Sequence, residues 1–344
     1  MDDSLRIIAA FATGLAVTYL AVPLAERVAA RTDFYDRPGG GYKEHRRSTP
    51  YLGGTTVVAG FLVASMVFSE TLSGFRVPAL CALVMLIVGT IDDRVGLGIA
   101  PRLASEVGVG AAVWAAGQGW QLGSFEILDL AVTVAWVVGL INAYNLMDNI
   151  DGATATVAGT SAIGIGSLAL LENDPMLAVV CFSLAGSCAG FLPHNLARPS
   201  KMFLGDGGSM PIGFILAVAV MAVPQGSVGL PALAVALLSV GVPVLDMAAV
   251  IISRRRRGAG VFVGGRDHLT HRLFRYLDSE RLVAGVLALS QGLLCLIAVL
   301  LVQGSNRVLI VGLSAVALGA AAAVFAAIEP IGSGLQRTRR SEAK

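Results

Sequence analysis

Long apolar stretches, separated by short polar or Gly/Pro-bearing loops, dominate this chain, and each is close to the roughly 20 residues a helix needs to cross a bilayer. Eleven can be marked, at about 5–25, 52–69, 76–91, 103–117, 128–143, 154–171, 176–193, 210–223, 229–252, 282–302 and 308–328. The fourth, fifth and eighth are the weakest, being short or opening among polar residues. The pattern predicts an all-α polytopic transmembrane helix bundle of about 11 transmembrane helices. Residues 1–328 read as one transmembrane domain and 329–344 as a basic tail, with no evident internal repeat.

Composition agrees. With 55% of its 344 residues hydrophobic and 14% charged, the chain is too apolar for a soluble domain around one core. Orientation follows from the basic residues, because Lys and Arg in short loops stay on the cytoplasmic side. With the N-terminus outside, every one of the 25 Lys and Arg except Arg6, Arg76 and Arg307 falls in an inner loop or the C-terminal tail. The inner loops are then 26–51, 92–102, 142–153, 194–209 and 253–281, and the C-terminus is cytoplasmic. The formal net charge of +2 is sorted by side and gives no nucleic-acid footprint. The Arg254–Arg257 run reads as a stop-transfer anchor beside anionic lipid headgroups. Asp2 and Asp3 stand where a signal peptide would be basic, so the first segment is expected to be a retained span. Cys81, Cys181, Cys188 and Cys295 lie inside apolar segments without metal-ligand spacing and read as core.

Candidate chemistry gathers in the inner loops, where carboxylates beside a membrane span need a reason to exist. The adjacent Asp92 and Asp93 call for a cation or a donor, or, more plainly, for Arg94 as a local neutraliser. In NAYNLMDNIDG, Asn142, Asn145 and Asp148 recur every third residue and share a helix face directed at one locus, with Asp151 continuing the series. Asp206 in FLGDGGS sits on a glycine-flanked turn ahead of a helix start at Met210 or Pro211, a setting that favours anions. Asp267, His268, His271 and Arg272 in GGRDHLTHRL suggest a phosphate clamp, Arg being able to bind bidentately. His-x-x-His could also bind zinc, but no third soft ligand lies nearby, and the carboxylates favour magnesium with phosphate as co-ligand. Lys43 and His45 add basic groups to the first inner loop, ahead of TPYLGG. Asp246 is an isolated intramembrane carboxylate, either a salt-bridge partner or a catalytic group.

Taken together and in this order, the TPYLGG loop, the Asp-Asp-Arg element, the Asn-x-x-Asn-x-x-Asp element, the Gly-Asp-x-Gly-Ser element and the His-bearing loop resemble those of the polyprenyl-phosphate N-acetylhexosamine-1-phosphate transferases. The resemblance covers residues 36–273. It implies a multi-pass enzyme of the plasma (inner) membrane with a cytoplasmic active site, transferring a sugar 1-phosphate, GlcNAc-1-phosphate by preference, from a UDP-sugar to polyprenyl (undecaprenyl or decaprenyl) phosphate. Mg2+ is the implied cofactor, with Mn2+ as a substitute, and membrane lipid and a second copy of the chain are the other expected partners. By motif position, Asp206 is the principal metal ligand, joined by Asp93, and Asp92 and Asp93 lie near the lipid phosphate. Asn145, Asp148 and Asp151 line the nucleotide and metal side, while His268, His271 and Arg272 hold the diphosphate with Asp267. Lys43, His45, Asn142 and Asn195 complete the substrate contacts, Asn195 matching a position that in some members faces uracil. Two departures stand out: Thr270 occupies a position where histidine is common, and Asn149 one where glycine is frequent. The rival reading is an ion- or proton-coupled transporter, whose polar residues belong near the membrane midplane and in repeated halves.

Overall fold

The computed structural model describes residues 1–36, 49–69, 74–122, 125–223, 230–256, 258, 267–303 and 307–327. Each of the eleven apolar segments is helical. They lie in α1 (Asp3–Thr32), α2 (Gly53–Phe68), α3 (Arg76–Val95), α4 (Ile99–Ala115), α5 (Glu126–Met147), α6 (Ala153–Leu171), α7 (Pro175–Asn195), α8 (Asp206–Ala222), the pair α9 (Leu230–Ser239) and α10 (Gly241–Arg256), α12 (Glu280–Gln303) and α13 (Arg307–Ala327). The short amphipathic α11 (Leu269–Leu277) was not anticipated. By length and composition, α1, α5, α6, α7 and α12 can each cross a membrane, and α9 with α10 makes a sixth if the bent pair is one span. The protein is therefore a polytopic membrane helix bundle.

Apolar on all sides, α8 is buried from Gly207 to Val220 and forms the central post of the bundle, with α2, α3 and α5 packed around it. Its first residue, Asp206, is thereby carried to one end of the post. The Ala, Gly, Ser and Thr residues of α6 let it pack closely on α7. By contrast α1 and α12 leave Leu20, Leu24, Leu289 and Leu300 exposed, as lipid-facing helices must.

The ninth segment is not one continuous helix. At Val240 the chain bends by 87° between α9 and α10. A break deep in a bundle orphans backbone groups that lipid cannot satisfy, and here the fully buried Gln291 of α12 supplies the partners. Its amide nitrogen donates to the carbonyls of Leu238 and Ser239 at 3.1 and 2.8 Å, and its oxygen accepts from Val242 N–H at 3.0 Å. The bend re-aims α10, which carries Asp246 and Arg254.

Around the first inner loop, β1 (Tyr35–Asp36) pairs antiparallel with β2 (Thr49–Pro50), Tyr35 opposite Pro50 and Asp36 opposite Thr49. Lys43 and His45, like the tail 329–344, lie outside the described residues.

Candidate active site

The polar motifs meet at one end of the bundle, where α1, α3, α5 and α7 finish and α2, α4, α6 and α8 begin. At the centre of this end is Arg102, in the first turn of α4. Its guanidinium lies 2.7 Å from Asp92 Oδ2 and 3.5 Å from Asp206 Oδ2, and it donates to Asn145 Oδ1 at 2.9 Å. Asn145 Nδ2 in turn donates to Asp206 Oδ1 at 2.7 Å and to Ser209 Oγ at 3.1 Å. Three helix ends, from α3, α5 and α8, thus deliver oxygen ligands to one cation. Arg94, expected beside the paired aspartates, instead donates to the carbonyls of Thr32 and Asp33 at 3.2 and 3.1 Å and caps α1. The neutraliser of Asp92 is Arg102, which in the sequence is one inner-loop charge among many. Its signal was a register match: Arg102 and Glu106, four apart on α4, meet Asn145 and Asn142, three apart on α5.

Asp93 faces the start of α8. Its two carboxylate oxygens accept from the backbone N–H groups of Asp206 and Gly207, both at 3.0 Å, so it caps that helix where the dipole favours negative charge. Helix α8 begins at Asp206, four or five residues before the expected start at Met210 or Pro211. Gly205 makes the approach possible, with φ at 71° and Asp93 Oδ2 2.5 Å from where a Cβ would stand. The TPYLGG loop supports the same turn. Gly53 and Gly54 N–H donate to the carbonyls of Phe203 and Leu204 at 3.0 and 2.9 Å, and a Cβ on Gly54 would come 2.2 Å from Gly208 N.

Asp93 and Asp206 lie beyond the apolar stretches 76–91 and 210–223, and both titrate high. Burial, then the charge of Asp206, pushes the Asp93 carboxyl up to about 7 despite its two backbone donors. Burial and contact with Asp92 raise Asp206 more than Arg102 and Asn145 lower it. Burial and the charge of Asp206 also carry Asp148, at the C-terminal end of α5, well above the usual carboxylate range. The cluster holds more negative charge than one arginine balances.

Of Asn142, Asn145 and Asp148, whose spacing directs them at one locus, Asn145 and Asp148 both stand near Asp206 and Asn142 departs. Asn142 lies one helical turn further from the α5 terminus than Asn145 and donates to Glu106 Oε2 at 2.5 Å, a carboxylate only 1% exposed. Asn195, 4% exposed, binds Asp151 Oδ1 and the Met202 carbonyl through its amide nitrogen, both at 3.0 Å, and accepts from Gly152 N–H at 2.6 Å. Both amide hydrogens and the carbonyl of Asn195 are engaged within the chain, tying the Asp151 turn to the loop that leads to Asp206.

The His-bearing element is held from α10. Asp246 accepts from His268 Nδ1 at 3.0 Å and from Leu269 N–H at 2.6 Å, so it orients the imidazole and caps α11. Its role, undecided from sequence, is that of a partner. This bond places the ring proton on Nδ1 and leaves Nε2 as the nitrogen available to a ligand. Arg254 forms a bidentate pair with Asp267, Nε to Oδ2 and Nη2 to Oδ1, both 3.0 Å, with side chains 5% and 10% exposed. The first arginine of the basic run is therefore turned inward and is no headgroup anchor. Although burial pulls the other way, Arg254 holds the Asp267 carboxyl below its ordinary value. Arg272, 5% exposed, donates from Nε to the Asp267 carbonyl at 3.0 Å. His271 follows on the same short helix.

Among the described residues, no three His, Cys, Asp or Glu side chains form a ready metal cage. Magnesium does not need one, because it is held by one or two carboxylates, with phosphate and water filling its octahedron. Asp206, Asp92 and the Asn145 amide oxygen are hard donors gathered around a single positive charge, and this set fits such an ion.

A model of the family described as Glycosyl transferase family 4 matches residues 75–223. Among relatives, the decaprenyl-phosphate N-acetylglucosaminephosphotransferase of Mycobacterium leprae (strain TN) is 32% identical over 323 residues, covering 82% of this chain and 80% of the relative. The probable undecaprenyl-phosphate N-acetylglucosaminyl 1-phosphate transferase of Bacillus subtilis (strain 168) is 29% identical over 299 residues, covering 82% and 81%. The undecaprenyl-phosphate alpha-N-acetylglucosaminyl 1-phosphate transferase of Escherichia coli (strain K12) is 28% identical over 296 residues, covering 82% and 80%.

Proposed function

The chain belongs to glycosyl transferase family 4, and on that premise we propose that it transfers GlcNAc-1-phosphate from UDP-GlcNAc to polyprenyl phosphate at the cytoplasmic membrane face, giving polyprenyl-diphospho-GlcNAc and UMP. The observation that carries this reading is the convergence of Asp92, Asn145 and Asp206 on one cationic position, joined through the α5–α6 turn to an element bearing His268, His271 and Arg272. A transporter would place its carboxylates near the midplane, whereas these stand at helix ends on one side. That side carries the sorted basic residues, which supports eleven spans with the N-terminus outside and the C-terminus cytoplasmic.

In this reaction an oxygen of the lipid phosphate attacks the sugar-bearing phosphorus of the donor. The bond from that phosphorus to the bridging oxygen breaks, and UMP leaves with the electron pair. Phosphoryl transfer is served mainly by positioning and charge neutralisation. Asp206 and the Asn145 oxygen would hold Mg2+, with Asp92 beside them; the ion supplies charge neutralisation at the diphosphate. Asp93 fixes the first turn of α8, and so the direction of Asp206. Arg102 spans Asp92 and Asp206 and is placed to donate to a substrate phosphate in their stead. Arg272 and, as its imidazolium, His268 through Nε2–H would donate to the donor diphosphate, while Asn195 sets the Asp151 turn in place and acts on the donor only through it.

An alkyl phosphate loses its second proton at about pH 6, by analogy with phosphoserine. The acceptor is then largely dianionic at neutral pH, and Asp92 positions it more than it deprotonates it. Asp92→Asn is expected to lose turnover across the whole pH range; full recovery at high pH would show that Asp92 is a base. The functional test is UMP release from membranes supplied with polyprenyl phosphate, Mg2+ and a panel of UDP-sugars. UDP-GlcNAc should be preferred, and no release with any donor would overturn the assignment.

A further inference from the structure

A side-chain contact that the reaction itself does not require joins the turn after the carboxylate cluster to the His-bearing helix. Thr270 Oγ1, fully buried on α11, donates to Asn149 Oδ1 in the turn between α5 and α6. The amide cannot swing away freely, because Asn149 Nδ2 donates to the Leu146 carbonyl at 2.8 Å and so directs its oxygen toward α11. Asn149 directly follows Asp148, and Thr270 directly precedes His271 and Arg272.

We propose that Asn149 and Thr270 form a clasp that fixes the register of the His268–Arg272 element against the Asp148–Asp151 turn, and that this clasp sets the affinity for the nucleotide-sugar diphosphate. The geometry explains why a contact remote from the reacting bond matters. The donor must touch both elements at once, and α11 is a helix of nine residues, too short to be stable in isolation. Its N-terminal end is fixed to α10 by Asp246 and, through Asp267, by Arg254, but neither contact orients it toward α5. Thr270 supplies that link. A buried hydroxyl without its acceptor also leaves an unsatisfied polar group at the junction. Both residues are positioning residues, since neither touches a reacting atom in this account.

The proposal rests on the transferase reading, so the test has one readout that depends on turnover and one that does not. In the purified, ligand-free protein, Thr270→Val should accelerate hydrogen exchange of the α11 backbone amides relative to wild type, and Thr270→Ser should not. In the UMP-release assay, Thr270→Val should raise KM for the UDP-sugar about fivefold, the worth of one neutral hydrogen bond, with a smaller change in kcat and none in KM for polyprenyl phosphate. Asn149→Ala should give a similar rise, and the double variant no more than either single one, because the clasp is lost only once. The exchanged pair N149G/T270H, which makes room for the larger ring, should regain donor affinity that T270H alone loses. Unchanged exchange in Thr270→Val, additive KM effects, or equal loss toward donor and acceptor would each overturn the clasp. Absence of UMP release by the wild type would overturn the transferase reading instead, while the exchange readout would still decide the clasp.

Discussion

Two polar clusters meet at the Asn149–Thr270 contact, and they are built on opposite electrostatic plans. Around Asp206, the carboxylates of Asp92, Asp93 and Asp148 are brought together with Arg102 as the cation between Asp92 and Asp206, and burial and mutual repulsion raise the Asp93, Asp148 and Asp206 carboxyls. Around α11, Asp267 is matched by Arg254 and Asp246 by His268. The first cluster is short of positive charge and is mounted on the ends of packed helices. The second pairs its own charges and is a short helix clipped to its neighbours. Unbalanced negative charge on rigid supports suits capture of a cation and phosphate, whereas internal pairing spends its charge on shape.

The largest expected effect is at the first cluster. Asp206→Asn keeps size and much of the hydrogen bonding but removes the charge that would hold the metal, and UMP release should fall on the order of 10³-fold. A loss under tenfold would place the cation elsewhere. Arg102→Met should lower turnover about 100-fold. It should also lower the melting temperature of the metal-free protein, with Mg2+ restoring more stability than it adds to wild type. If added Mg2+ stabilises the variant no better than wild type, Arg102 does not share the cation position.

At the second cluster the effects should be smaller and of another kind. Arg254→Met removes the bidentate partner of the half-buried Asp267, at a local cost of about 2 kcal/mol. Most of this should appear as loosening of α11 and a rise of about tenfold in donor KM, read by exchange of the α11 amides and by initial rates; a pure kcat loss would contradict a shape-holding role. The smallest effect concerns acid. Because the folded Asp267 carboxyl titrates below its ordinary 3.8, its contribution is fully present above that pH and is lost as pH falls through the lowered value. The α11 amides of wild type should lose protection below about pH 4, after correction for intrinsic exchange, and Arg254→Met should lack that step.

The apolar helices and the motif content were legible in the sequence because both follow from local rules. A stretch of apolar residues must be helical in lipid, and inner-loop basic residues sort by side whatever the fold. The motifs carrying Asp92, Asn145, Asp206 and His268 stood out because polar groups beside a span are costly. What stayed hidden is any partner that comes from another helix. Asp93 and Asp206 looked alike as acidic loop residues, yet one caps α8 and the other faces Arg102. Asn142 and Asn145 share a face, yet one turn of rise gives them different partners on α4.

The sequence by itself determined that this is a multi-span helical membrane protein and that its acidic and histidine motifs stand at the ends of, or between, its apolar stretches, since hydropathy acts residue by residue. Only the tertiary structure decided which of those motifs touch. It put Arg102 between Asp92 and Asp206, turned Arg254 inward, broke the ninth span against Gln291 and joined Thr270 to Asn149. Each of these is a pairing between residues far apart in the chain, fixed by how helices pack, and the period of a single helix carries no record of it.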